Sequence, residues 1–280
     1  MQATFHKTIS KGYESMSDKK IHLSKISALH YFKLVFRSIL LVCAAISYIF
    51  NRIHHSGRIF GEIERLPVIL GFIWIVFVVE MLLRFFPSNA ESMGCQKQFK
   101  KNFIPTKHTE PAKRIPGSTF FVAAAWFALN AIIGVLYYTH IIDEGILLLI
   151  SLAYSVCDMI CILFFCPFQT WFMKNKCCGS CRIYNWDFAM MFTPLVFIPH
   201  PYTWSLLGIA LLLLIVWELA VRIHPERFSE KTNACLSCAN CKEKLCHHKK
   251  QLRHFLRTNR KNLILKGNAI VEKAKNITKK

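Results

Sequence analysis

Residues 145–166 read GILLLISLAYSVCDMICILFFC, an apolar run that contains a single charged residue, Asp158. A helix rises about 1.5 Å per residue, so this run would be about 33 Å long, whereas the hydrocarbon core of a bilayer is roughly 30 Å thick. The run therefore predicts a transmembrane helix. It also defines the pattern to look for in the rest of the chain.

Four other runs resemble it in length and hydrophobicity, and a sixth, 187–200, is shorter and contains Pro194 and Pro199. The first run begins too far from the N-terminus for a typical cleaved signal peptide, so we interpret it as a retained helix. The sequence predicts an all-α, polytopic membrane helix bundle with about six transmembrane helices. The five longer runs are 33–50, 66–86, 119–141, 145–166 and 203–222.

The composition agrees with this fold class. The chain has 280 residues, is 53% apolar and carries a formal charge of +20, a combination that fits if apolar residues span lipid and charges occupy loops and tails. We divide it into a basic N-terminal segment (1–32), a transmembrane domain (33–222) with a cysteine loop at 167–186, and a Cys-rich basic tail (223–280).

Lysine and arginine are concentrated in every second connection between the apolar runs. In membrane proteins, connections rich in these residues lie on the cytoplasmic side. The segment before residue 33 has five Lys against two acidic residues, and the chain from Arg222 onward has sixteen Lys or Arg against four. The turns 142–144 and 200–204 have neither Lys nor Arg. The pattern predicts a multi-pass protein of the cell membrane with both termini cytoplasmic, provided that 187–200 crosses fully.

Seven of the twelve cysteines lie in two short clusters, which this topology places on the cytoplasmic side. Disulfides do not persist in a reducing compartment, so cysteines at such spacings indicate a metal or cluster site. Thiolates favour zinc or iron–sulfur centres. Cys166 and His247 are possible additional ligands. The predicted metal ligands are Cys177, Cys178, Cys181, Cys235, Cys238, Cys241 and Cys246.

Several arrangements of these ligands stay open. The tail cluster could wrap one centre alone, or Cys178 and Cys181 could join a tail pair in one tetrahedral structural zinc site. An iron–sulfur centre is the main alternative, although the last gap of the tail cluster is longer than in bacterial ferredoxin runs. Transient binding of thiophilic ions, reduced free thiols, and palmitoylation of Cys177 and Cys178 are further interpretations.

The Cys166-Pro167 pair and the tail cluster resemble motifs of the membrane subunits of quinol-oxidising electron-transfer chains. Those proteins combine a few helices with cytoplasmic cysteine–proline motifs and ferredoxin-type cysteine runs. The resemblance is confined to these short stretches, and it implies the iron–sulfur alternative.

Ionisable residues also occur within the apolar runs, where they are costly and need partners. Glu80 and Arg84 are four residues apart and predict a pair on one helix face. We expect Asp158 to bond neighbouring helices or to pair with Arg37, unless these groups line a polar cavity open to the cytoplasm. Cys43, Cys157 and Cys161 are predicted to be packing residues. The five intramembrane charges are Arg37, Glu80, Arg84, Asp158 and Glu218.

The basic tail predicts either a solvated charged segment or docking on an anionic lipid surface. It lacks the interleaved aromatic residues of a single-strand nucleic-acid platform. The chain has no Walker loop, nucleophile elbow or HExxH motif, which argues against three common enzyme classes. Three functions remain: a non-enzymatic scaffold, sensor or assembly factor with structural zinc, an electron-transfer subunit with an iron–sulfur centre, or a transporter of a small solute or metal ion.

Overall fold

The computed structural model describes residues 25–53, 67–87, 93–107, 117–174 and 181–237. Within these ranges the regular elements are helices, and the extended backbone pairs at one isolated bridge, between Pro105 and Asn233. The predictions for the N-terminal segment before residue 25 and for the tail after residue 237, including its docking on lipid, lie outside the described residues.

Four of the described helices are long and apolar enough to cross a membrane, namely α1, α4, α5 and α7. They confirm the prediction of membrane-length helices at the corresponding runs. The helix α2 is shorter, with 16 residues, and ends before Arg84. The α-helices in chain order are α1 (Lys25–Ile53), α2 (Pro67–Leu82), α3 (Met93–Gln98), α4 (Gly117–Tyr138), α5 (Glu144–Leu163), α6 (Asp187–Phe192) and α7 (Pro201–Ile223).

Local sequence accounts for where α5 and α7 begin. The Asp143 carboxylate caps α5 by accepting a hydrogen bond from the Ile146 N–H at 2.9 Å, which satisfies a backbone donor that has no partner within the helix. Pro201 occupies the first position of α7, where its fixed φ suits the helix and its missing N–H costs nothing.

Side-chain contacts show that α1 and α5 run antiparallel. Arg37 contacts Asp158 at 3.3 Å, whereas Tyr48, later in α1, contacts Asp143, before the start of α5, at 3.0 Å. We call the end of the bundle that contains Arg37 and Asp158 the charged end, and the end that contains Tyr48 and Asp143 the opposite end.

The run 187–200 does not form one continuous helix. It consists of the six-residue α6 and a five-residue 3₁₀ helix, Thr193–Phe197. The change occurs at Pro194, because proline has no N–H for the helical ladder and its ring clashes with the preceding turn. Phe188 and Leu195 are buried within the bundle, so this interrupted run is an interior element.

The interrupted run nevertheless extends along most of α7. At the charged end, Trp186 donates a hydrogen bond to Glu218 at 2.7 Å. At the opposite end, the Thr203 hydroxyl donates to the Ile198 carbonyl at 2.7 Å. Glu218 and Thr203 are about 22 Å apart along the axis of α7, given its rise per residue. The run therefore covers about that distance, antiparallel to α7.

The connections at the charged end pack on one another. Asn185 donates to Gln98 at 2.9 Å, and Asn233 donates to the Lys97 carbonyl at 3.0 Å. The 93–107 loop thus binds both the residues that lead into α6 and the first part of the tail. Three connections that the charge pattern placed on one side of the membrane lie together in the structure.

The outward faces of the long helices are apolar. Phe120 and Phe127 of α4 are 72% and 70% exposed, and Ile46 of α1 is 62% exposed. An apolar belt of this extent is unfavourable in water and favourable against lipid chains. Together with the helix lengths, it identifies a membrane protein.

Gly134 provides a test of how tightly α4 packs at the opposite end. A Cβ added to Gly134 would lie 2.5 Å from the Phe197 ring, whereas one added to Gly208 would meet nothing within 4 Å. We expect Gly134→Leu to lower the free energy of unfolding in detergent by about 1–3 kcal/mol through overpacking. Gly208→Leu, the matched control, should leave the thermal midpoint unchanged or raised. Equal midpoints for the two variants would contradict this packing.

Candidate functional site

Arg37 is the most buried charged side chain of the bundle, with 2% exposure. Its guanidinium donates to Glu80 at 2.6 Å, to Asp158 at 3.3 Å and to the Ser155 carbonyl at 3.1 Å. One side chain of α1 therefore binds acceptors on α2 and α5. Lys33 adds a second positive charge, 3.6 Å from Glu80.

This arrangement explains how charges are tolerated at this depth. Removing an isolated ion from water costs several kcal/mol, and the penalty is offset only when partners satisfy its hydrogen bonds. The planar guanidinium of Arg37 offers donors in a fixed fork, which suits simultaneous bonds to two carboxylates. Its position above the Phe77 ring, 5.4 Å from the ring centre, adds a cation–π contact.

The sequence predicted a pair between Glu80 and Arg84, but the structure distributes these charges differently. Glu80 bonds Arg37, and Arg84 donates to Asp187 at 2.7 Å. The reason is the turn that follows α2, because Arg84 lies beyond the last helical residue and no longer follows the helical spacing. The Arg84 guanidinium lies 4.5 Å from the centre of the Phe188 ring. Asp158 pairs with Arg37, one of its two expected roles.

Glu218 belongs to a separate group on α7. Arg182 donates to it at 2.7 Å, and the Trp186 indole donates to the same carboxylate oxygen. These bonds attach the segment before α6 to the charged end of α7.

A cavity of about 370 Å³ opens between α4, α5 and α6. Asp158 and Asp187 both line it, while their partners Arg37 and Arg84 do not. Both acids therefore contribute to the wall, while their carboxylates are bonded to Arg37 and Arg84. Tyr184 contributes a neutral hydroxyl to the wall, because burial raises the pKa of its phenol well above the ordinary value.

Four thiols line the same cavity, together with the Met190 thioether. Cys161 lies in the last turn of α5, and Cys166 lies just beyond the end of that helix. The Cys166 sulfur accepts the Gln169 N–H at 3.4 Å. Cys157 and Cys161, which the sequence predicted to be packing residues, form part of this wall, and Cys43 is exposed on the surface of α1. The cavity thiols are Cys157, Cys161, Cys166 and Cys181.

The predicted metal ligands lie largely outside the described residues. Cys181 is buried against Val122 and Ile183, and Cys235 donates to the Asn102 carbonyl at 2.8 Å. Within the described ranges, no group of three or more His, Cys, Asp or Glu side chains is arranged to hold a metal ion. Outside those ranges lie Cys177, Cys178, Cys238, Cys241, Cys246 and His247.

Two participants in the site were missed by sequence reasoning. Asp187 is the first residue of the run 187–200, and a carboxylate at the start of an apolar run was a signal that it needs a cationic partner. Cys166 lies beyond the end of α5, so helical periodicity does not predict that it shares a wall with Cys157 and Cys161. Comparisons with protein families, with curated proteins and with solved structures found no match to this chain.

The Arg37 network predicts a large effect of neutralising its centre. Arg37→Met would leave Glu80 and Asp158 without their main partner, and we expect the free energy of unfolding in detergent to fall by about 3–5 kcal/mol. Adding Glu80→Gln and Asp158→Asn should recover part of this loss, because neutral amides carry no unpaired charge.

Arg52→Met is the matched control. Arg52 pairs with Asp143 at 3.7 Å but is 76% exposed, so its loss should have little effect. Equal destabilisation by Arg37→Met and Arg52→Met would contradict the role assigned to Arg37.

Proposed function

We propose that this chain is a multi-pass protein of the cell membrane that takes a small solute from the cytoplasm into the cavity between α4, α5 and α6. The functional class is a transporter or a solute sensor, with Asp158 and Asp187 as the polar anchors. The observation that carries the proposal is the cavity itself, whose wall includes Asp158 and Asp187, each paired with a buried arginine.

The contacts between elements support a topology of six crossings. The run 187–200 extends about 22 Å beside α7, and a hydrocarbon core is roughly 30 Å thick, so an interrupted crossing is feasible. Such irregular backbone is tolerated at membrane depth when protein surrounds it, as it surrounds Phe188 and Leu195. The helix α2, extended by its turn to Phe86, serves as the second crossing.

The charge bias supports the orientation of this bundle. The basic connections at 93–107 and 181–186 and the first part of the tail pack together at the charged end, whereas the acidic turn at Asp143 lies at the opposite end. In this proposal the charged end faces the cytoplasm, because cytoplasmic loops carry the excess of Lys and Arg. The cavity then opens on the cytoplasmic half of the bundle.

The reactivity of Cys157 tests the cavity and its charge. In a chain that keeps Cys157 as its single cysteine, inverted vesicles expose the cytoplasmic face to added reagent. We expect a cationic methanethiosulfonate to react severalfold faster than an anionic one, because two carboxylates line the path. Asp158→Asn and Asp187→Asn should each reduce this preference.

A chain that keeps only Cys43 is the control, since that thiol lies on the outward surface of α1. It should react slowly with both charged reagents from either side. The proposal is wrong if Cys157 reacts only from the outer face, or if it reacts equally with both reagents.

A second candidate function is a scaffold with a cysteine-bound metal centre. The specific observation in its favour is that Cys181 and Cys235 both belong to segments that pack on the 93–107 loop. Cys181 and Cys235 are the described members of the two clusters, and both segments lie at the charged end. We propose structural zinc as the metal, with an iron–sulfur centre as the alternative.

Anaerobic purification with elemental analysis tests this candidate. Structural zinc should be retained without visible absorbance, and Cys238→Ser should reduce the zinc content, while Cys43→Ser should not. A visible absorbance that dithionite bleaches would indicate an iron–sulfur centre instead of zinc. Equal metal content in Cys238→Ser and Cys43→Ser would exclude the tail cluster as a ligand set.

A further inference from the structure

A second cavity, of about 690 Å³, opens between α4 and α7, and we call it the α4–α7 groove. The interrupted run 187–200 lies between the two helices and forms the floor. The Trp126 indole of α4 donates to the Thr193 hydroxyl at 3.3 Å, and the Trp204 indole of α7 donates to the Val196 carbonyl at 3.3 Å. The groove opens on the outward surface, because its wall includes exposed apolar side chains. These are Phe120, Phe127 and Leu211.

The groove has the length of a lipid chain. The residues of α7 that line it recur every three or four positions, the spacing of a single helix face. From the first to the last of them, α7 rises about 22 Å. Half of a hydrocarbon core is about 15 Å, so the groove accommodates an acyl chain of one leaflet and reaches the level of its headgroup. The α7 residues of the wall are Leu207, Leu211, Leu214, Glu218 and Arg222.

The charged groups of the groove lie at its charged end, and they are not balanced. The wall contains two arginines but one acid, Glu218. Arg182 binds both oxygens of that carboxylate through its two terminal nitrogens, so these two charges compensate each other. Arg222 lies one helical turn from Glu218, is exposed, and has no carboxylate within ion-pair distance among the described residues. The charged end of the groove therefore carries a surplus positive charge.

Two hydrogen-bond donors of the same wall lack an acceptor. Thr119, in the first turn of α4, is only 4% exposed, and neither its hydroxyl nor the Arg182 Nε has a partner among the described residues. Buried donors in proteins are nearly always paired. Val122, one turn after Thr119, packs against Ile183, so Thr119 lies near the level of Arg182. The unpaired donors and the surplus charge therefore occur at the same end of the groove.

We propose that the α4–α7 groove binds one anionic phospholipid, with phosphatidylglycerol as the simplest example. Its phosphate lies beside Arg182 and Arg222, and one acyl chain extends along the apolar face of α7. Guanidinium groups bind phosphate oxygens through strong charge-assisted hydrogen bonds, and basic pockets between transmembrane helices suit anionic headgroups. The lipid belongs to the leaflet at the charged end. The groove is a different space from the cavity between α4, α5 and α6, although Trp126 and Met190 belong to both walls.

The hydrogen bonds of Glu218 explain why the groove should prefer an anionic headgroup to a zwitterionic one. Phosphatidylethanolamine and phosphatidylcholine carry a cationic group that gains from a nearby carboxylate. Glu218 already accepts hydrogen bonds from Arg182 and from the Trp186 indole, both at 2.7 Å. A second cation at this end would therefore meet Arg222 without a free acid to offset the repulsion.

Native mass spectrometry of the full chain in mixed micelles tests the headgroup. The probes are the dioleoyl forms of phosphatidylglycerol, phosphatidylcholine and phosphatidylethanolamine, supplied in equal amounts. We expect one phosphatidylglycerol to be retained in preference to the other two. Arg222→Gln should lower this preference about fivefold, the effect of one basic residue near an anionic lipid surface. Arg52→Gln is the matched control, because Arg52 is also exposed but lies at the opposite end.

A second pair of variants tests the path of the acyl chain. Ala123→Phe places a ring in the wall of the groove, and it should lower retention of phosphatidylglycerol severalfold. Ala125→Phe, on the exposed surface of the same helix and outside the groove, should not. Each variant should elute as the parent oligomer with its thermal midpoint preserved.

Equal retention of phosphatidylglycerol and phosphatidylcholine by the parent chain would overturn the proposal, and so would equal effects of Arg222→Gln and Arg52→Gln. Release of the lipid by millimolar inorganic phosphate, together with full retention in Ala123→Phe, would reduce the site to an anion site without a chain groove. The outcome is independent of Cys157 labelling, which tests the solute cavity alone.

Discussion

The bundle depends on one buried guanidinium. Arg37 on α1 binds Glu80 on α2 and Asp158 on α5, and without Arg37 both carboxylates would lose their main cationic partner in a low-dielectric environment. These bonds therefore fix the axial position and the rotation of α1, α2 and α5 relative to one another. Arg84 and Asp187 form a second buried ion pair, which joins the end of α2 to the start of α6. Because Asp158 and Asp187 also belong to the cavity wall, the ion pairs that order the helices also position part of that wall.

The sequence predicted the long helices well because lipid imposes a length on each crossing. Run 145–166 corresponds to α5 and run 203–222 corresponds to α7, each with boundaries displaced by up to three residues. The sequence predicted the conformation of 187–200 less well. Its apolar composition identifies a buried segment, but Pro194 determines where its helix is interrupted. The pairing of Arg84 with Asp187 could not be read from spacing. Arg84 lies beyond the end of α2, so its partner is set by tertiary packing.

The cysteines separate into two groups with different surroundings. Cys157, Cys161, Cys166 and Cys181 line a cavity within the bundle, whereas Cys235 hydrogen-bonds the 93–107 loop at its surface. The two proposed functions are compatible in space, because the cavity and Cys235 occupy different parts of the charged end.

The proposed orientation of the cavity depends on the interrupted run 187–200 carrying the chain across the bilayer. The most direct measurement is labelling of intact cells with an impermeant maleimide, using chains that keep one reactive thiol each. A His200→Cys chain should be labelled without permeabilisation, because residue 200 lies at the opposite end of the bundle beside α7. A chain that keeps only Cys235 should be labelled only after permeabilisation. Labelling of Cys235 in intact cells, or protection of residue 200, would contradict the account.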